Sequence, residues 1–216
     1  MSRFLIRSSE ASMAVAHALA DAVDGEVRVV PADTTVEEFL KDLADSEVTA
    51  GVVALDGAGW RIVRHAEKPV VLVPAARPIE AIERVLVPLD GTDEAVAAVA
   101  ETVRLFRSAG VDIVVLHVFD AATRPGFWDQ AAHARPIWEQ EFLARFCAPH
   151  LPGSAPTLTL RTGAPGEHVV DIAGAHADLI ILGWSRRLDP GRAQTVRRTV
   201  RESPVPVMLI PVAVPG

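Results

Sequence analysis

Cysteine occurs once, as Cys147, so no internal disulfide can form and nothing points to an oxidising compartment. Long hydrophobic runs are missing as well. The longest, 69–76 and 205–214, fall short of the roughly 20 residues that cross a bilayer and are broken by prolines. Positive charge is in deficit: 21 Lys and Arg against 28 Asp and Glu leave a net charge of −7. Proteins that coat nucleic acid or anionic membrane are normally basic, so neither partner is expected. Residues 1–9 carry basic side chains but no long apolar stretch and no cleavage-type site, so they do not read as a secretory leader. A soluble cytoplasmic protein is the expectation. What is present is ordinary globular composition, 50% hydrophobic and 23% charged over 216 residues, enough for one or two domains.

Short apolar runs alternate with helix-period segments. In the C-terminal part, strands are expected at 84–89, 111–119, 157–161, 178–182 and 205–212. Helices are expected from about 93 to Gly110, over 137–148, 167–177 and 192–202. Most of the strand runs are continuously apolar, which marks strands buried on both faces, hence a parallel sheet covered by helices. The N-terminal part repeats the pattern in shorter form, with strands at 3–7, 26–30, 50–55 and 70–73 and helices over 10–23 and from Val36. Segments 37–76 and 167–213 follow one plan. Each has a helix, a buried strand, a glycine-containing loop with a tryptophan (Trp60, Trp184), arginines, and a proline-led strand ending in proline (Pro74, Pro211). An internal duplication follows, with domains at 1–76 and 82–216 and a linker at 75–81. The first copy lacks the helix and strand that the second has between Phe119 and Arg161.

The second copy opens with ERVLVPLDGTDEA, continues with VVLHV, and closes with ADLIILG, a loop and SPVPVMLIP. In that order and spacing these motifs resemble a universal stress protein domain over residues 82–213. The first copy resembles a truncated, degenerate relative. The resemblance implies a tandem protein of two open parallel-sheet α/β sandwiches, with strand order 3-2-1-4-5 in the complete one. It also implies that the last strand of each copy, a sheet-edge strand, pairs with its counterpart. The prolines around 69–74 and 205–211 fit an edge, where a missing N–H breaks no ladder. We expect that pairing within one chain, as a pseudo-dimer, with a homodimer as a further candidate state. A stress context is implied by the family alone.

The resemblance places a ligand crevice between strands one and four of the complete copy, with Asp90 opposite Gly183. ATP-binding members carry Gly-x-x-Gly, nine residues, then Gly-Ser/Thr. Glycines let backbone N–H groups close on phosphate, and the last pair opens a helix whose N-terminus favours anions. Here Gly183 matches, Arg186 takes the second glycine position, the later pair falls on Ala193-Gln194, and the loop is three residues short. Gly191 and Thr195 lie nearby but out of register. The implied cofactor-contacting positions are therefore Pro88, Asp90, Val118, Gly183, Arg186, Gly191, Arg192 and Gln194.

Three readings stay open. The nucleotide site is degenerate, with either no cofactor or weakly held ATP or AMP. Alternatively, arginines 186, 187, 192, 197, 198 and 201 replace the glycine cradle, because guanidinium groups suit phosphates; the plainer reading of that run is a solvated helix face paired with Glu202. Or the pockets are empty and the protein docks a partner through the segment around Trp128 and Trp138. The first copy's loop, 56–60, is too short for the full motif, and no nucleotide is expected there.

Catalytic signatures fail on inspection. A phosphatase of Asp-x-Asp-Gly-Thr type needs an aspartate where Pro88 stands. The Gly183-Trp184-Ser185 echo of a nucleophile elbow ends in Arg187, where a small residue is required. Cys147 and His150 lack a second pair of ligands, and His65, His117, His168 and His176 are scattered, so no metal site and no enzyme is expected. Cys147, on the apolar side of a helix, reads as a buried, inert thiol.

Overall fold

The computed structural model describes residues 1–75, 79–120, 131–151, 153, 155–186 and 192–212. The N-terminal half contains β1 (Arg3–Arg7), α1 (Glu10–Ala22), β2 (Glu26–Val30), α2 (Val36–Leu43), β3 (Ala50–Ala54), α3 (Gly57–His65) and β4 (Val70–Val73). The C-terminal half contains β5 (Arg84–Pro88), α4 (Asp93–Ser108), β6 (Asp112–Phe119), α5 (Ala131–Phe142), β7 (Thr157–Thr162), α6 (Pro165–His176), β8 (Leu179–Trp184), α7 (Arg192–Glu202) and β9 (Val207–Pro211). A π-helical turn, Leu143–Cys147, extends α5.

All nine strands form one sheet in the order β2-β1-β3-β4-β9-β8-β5-β6-β7. The C-terminal half has the expected 3-2-1-4-5 order, parallel throughout. The N-terminal half has the same order with the third strand missing. The halves join where β4 meets β9 antiparallel, with Val70 opposite Leu209, Val71 opposite Met208 and Leu72 opposite Val207. All six residues are buried. Strands that are edges within each half thus become the middle of the molecule, which explains why VVLV and VMLI are apolar on both faces. Helices α6 and α7 pack side by side, while α4 packs against β6, β8 and β9.

Local chemistry sets the helix starts. Ser9, Thr35, Asp56 and Thr92 each cap a helix with a side-chain oxygen. Thr35 and Glu38 form a reciprocal capping box. Gly110, at φ +85°, terminates α4.

Two sequence expectations need correction. Residues 56–60 were expected as a loop, yet Asp56 caps a helix that begins at Gly57. Two glycines in a row of five hid the helix, but Asp56 Oδ1 accepts from Gly59 N at 2.6 Å and offsets their low propensity. The helix expected from Ile137 begins six residues earlier and runs through Pro136. A proline inside a helix costs a hydrogen bond, so sequence reasoning stopped there. The expected linker lies partly outside the described residues.

Candidate functional site

The strand order reverses between β5 and β8, and the chain leaves both strands at the same end of the sheet. A cavity of about 600 Å³ opens there. Its apolar wall includes Pro88, Leu89, Leu116, Val118 and Leu182; Asp90, Glu94 and Asp120 are acidic groups on its lining. Such a crevice, outside the carboxyl ends of parallel strands at a switch point, is where open α/β sheets take ligands.

Asp90 is held by the turn that follows β5. Its Oδ1 accepts from Thr92 N at 3.0 Å and from Thr92 Oγ1 at 2.6 Å. Thr92 Oγ1 in turn accepts from Ala95 N and starts α4. Gly91 sits at φ +80°, a conformation that favours glycine. Beneath this turn lies buried His117. Its Nδ1 donates to the Leu89 carbonyl at 2.8 Å, which fixes the proton on that nitrogen, since a carbonyl only accepts. The ring packs edge-on against Phe119 at 4.5 Å and beside Phe142 at 4.7 Å. Burial pulls its pKa below the usual imidazole value, opposed by the Leu89 carbonyl and by Asp90 and Asp120. In the sequence His117 is one of several scattered histidines with no metal role, and nothing there shows that it supports the Asp90 turn.

Pro88, Asp90, Val118, Gly183 and Gln194 all line the cavity. So does Thr195, which looked out of register in sequence. Gly183 is tightly surrounded: a Cβ there would meet Val212 Cγ2 at 3.3 Å. Arg186 is not on the cavity lining. It adopts φ +60° and sends Nη1 across to the Ala66 carbonyl at the end of α3, 3.4 Å away. Gly191 and Arg187 lie outside the described residues, as does the side chain of Arg192. Among the described residues the cavity's arginine is Arg198, missed as a lining residue by the sequence reading. Arg198 is engaged by Glu167 at 2.7 Å and Glu202 at 3.0 Å. Arg201 also pairs with Glu202, so two of the six arginines of the basic run are paired on the helix face.

Trp60, Trp138 and Trp184 pack against other rings, and Trp184 also lines the cavity. The Trp184 ring lies 5.7 Å from that of Trp60, tilted by 57°, and Trp184 is 2% exposed. Its indole Nε1 is buried without an acceptor among the described residues. Trp138 packs edge-on against Phe119 at 6.3 Å, and Trp128 lies outside the described residues. Cys147 is buried, and burial pushes its thiol up to about 11. No group of three or more potential metal ligands occurs among the described residues, and no helix among them is long and apolar enough to cross a membrane.

A parallel sheet whose strand order reverses at a cleft defines an open α/β protein with a ligand crevice at its switch point. The model of the Universal stress protein family matches residues 81–211. The chain belongs to that family. Among solved structures, a universal stress protein from Archaeoglobus fulgidus DSM 4304 aligns over 98% of this chain and 96% of its own, with TM-score 0.63 and 16% identity. A functionally unknown protein from Pseudomonas aeruginosa PAO1 aligns over 98% and 82%, with TM-score 0.62 and 14% identity. A shorter structure, the universal stress protein from Archaeoglobus fulgidus in complex with dAMP, aligns over 60% and 97%, with TM-score 0.40 and 17% identity. No curated protein sequence matches the chain.

Proposed function

We propose that the chain is a non-enzymatic regulator or binding module of universal stress type, built of domains 1–76 and 82–216, with one degenerate adenine-nucleotide site in the second. The observation that carries this reading is the cavity of about 600 Å³ at the β5–β8 switch point, with Asp90 at its rim and an apolar wall around Val118. That wall offers a flat ring a dry surface, and Asp90 offers an acceptor to an exocyclic amine. The phosphate end is poor. The glycine cradle keeps only Gly183 of its motif positions, and Arg198, on the cavity lining, is engaged by two glutamates. The described anion-attracting feature is the start of α6, where Ala164 supplies no side-chain cap and Pro165 and Gly166 line the cavity. Two side chains able to serve as nucleophile or base are disarmed, which supports a non-enzymatic role: Cys147 is buried with a raised pKa, and His117 is turned onto a backbone carbonyl.

Isothermal titration of adenosine, AMP, ADP and ATP into the protein tests this, after denatured protein has been checked for retained nucleotide. We expect weak binding that gains little from added phosphates. Asp90→Ala should weaken it about tenfold, the equivalent of about 1.4 kcal/mol. Affinity that climbs steeply from adenosine to ATP would instead assign the phosphates to the arginine-rich loop. No binding of any of the four would make the site vestigial.

A further inference from the structure

A second concavity lies away from the nucleotide-type cavity. It is an open groove of about 620 Å³ that begins at Arg84 and Asp112, at the amino-terminal ends of β5 and β6. From there it follows β7 through Thr157 and Thr159 to Arg161. These three β7 residues alternate along the strand and so share one face. Arg84, Arg107 and Arg161 contribute positive charge to the lining, and Asp112 contributes a carboxylate. In a chain of net charge −7 this is a local reversal of sign.

The groove borders a bare sheet edge. β7 pairs with β6 in unbroken parallel register from Val114–Thr157 to Phe119–Thr162. Among the described residues no strand lies on its outer side. It contains neither proline nor bulge, the usual devices that stop strand addition. The opposite edge, β2, differs. There Glu26 is paired with Arg3 at 3.2 Å, and Arg28 faces Asp42 and Asp45 at 3.3 and 3.7 Å, so its charges cancel. Beside β7, Arg161 has no ion pair among the described residues, and Arg84 reaches Asp112 at 3.7 Å. Arg107 Nη1 is anchored on the Leu151 carbonyl at 2.9 Å, which fixes that guanidinium at the wall.

We propose that this groove docks an extended acidic peptide segment of a partner protein, laid along the free edge of β7. Backbone hydrogen bonds from the edge supply sequence-independent affinity, and the arginines select carboxylates. Thr157 to Arg161 spans roughly 13 Å at about 3.3 Å per residue, the length of a short strand. A short peptide senses the local positive groove, whereas a nucleic acid, a long polyanion, also meets the protein's overall negative field.

Fluorescence anisotropy with the full chain and a labelled alternating Glu-Val peptide, against its Gln-Val counterpart, tests the proposal. The glutamate peptide should bind saturably and about tenfold tighter than the glutamine one, with the preference fading as salt rises. Arg161→Glu should erase the preference and Arg161→Lys should keep it. Asp90→Ala, at the other site, should leave it unchanged. No binding of either peptide, equal binding of both, or unchanged preference in Arg161→Glu would overturn the proposal. Displacement of the bound peptide by a single-stranded oligonucleotide would overturn it too, by assigning the groove to nucleic acid.

Discussion

His117 shows how one side chain can hold a site it does not line. Its Nδ1–H bond to the Leu89 carbonyl fixes the residue before Asp90, and its ring fills the space under Gly91. The pH dependence follows from the lowered pKa. Between the folded pKa and the ordinary value near 6.5, the unfolded chain binds the proton more readily than the folded one. Stability therefore rises with pH through that window and is lost as pH falls through it. We expect denaturation midpoints of the wild type to drop as pH falls below about 6.5, and the slope to flatten in His117→Gln, whose amide can still donate to Leu89. Equal slopes in the two proteins would show that other groups set the acid limb. Cys147 supplies a second residue-scale prediction. With its thiol buried and its pKa pushed to about 11, a thiol reagent at neutral pH should label it at the rate of unfolding. Labelling in native buffer as fast as in denaturant would contradict the burial.

At the scale of elements, α3 carries the clearest test. Removing its cap with Asp56→Ala should cost about 1 kcal/mol, read from urea midpoints. Gly59→Ala should cost more, because a Cβ there would lie 2.1 Å from the Ala54 carbonyl oxygen and backbone must move. A Gly59→Ala protein as stable as Asp56→Ala would mean that the start of α3 is loose. The same helix marks the limit of reading structure from sequence. Strands were legible because burial on both faces writes itself as uninterrupted Val, Ile and Leu, as in VVLV and LIIL. Glycines 57 and 59 read together as loop, and the close approach of the Ala54 carbonyl that demands Gly59 is not visible in the sequence. Site residues divide in a similar way. Asp90 and Gly183 were placed at the crevice by the resemblance to the family's strand-end motifs, and both line the cavity. Arg186 was assigned to a phosphate by its place in the sequence, yet its guanidinium reaches the Ala66 carbonyl of the other half. Arg198 was visible only as part of a charge run, since its partner Glu167 lies on a different helix.

At the scale of the whole molecule, the β4–β9 ladder decides how the halves behave. Its paired residues are all buried, so neither half can expose its terminal strand without uncovering a row of Val, Leu and Met. Trp60 on α3 packs on Trp184 of β8, and Arg186 reaches Ala66, so contacts beyond the sheet also cross the junction. A chain joined in this way should unfold as one cooperative unit. The tilted tryptophan pair reports the junction by near-ultraviolet circular dichroism, while far-ultraviolet circular dichroism reports helices in both halves. The two signals should share one midpoint in thermal melts. Val71→Asp would bury an unpaired carboxylate opposite Met208, at a cost of several kcal/mol. That variant should lose the tryptophan signal at lower temperature than the helical signal, because the ladder fails while each half keeps its own core. Coincident melting in the wild type with separated melting in Val71→Asp would establish the ladder as the source of cooperativity. Separated melting already in the wild type would mean that the halves fold independently and that the continuous sheet adds little to their stability.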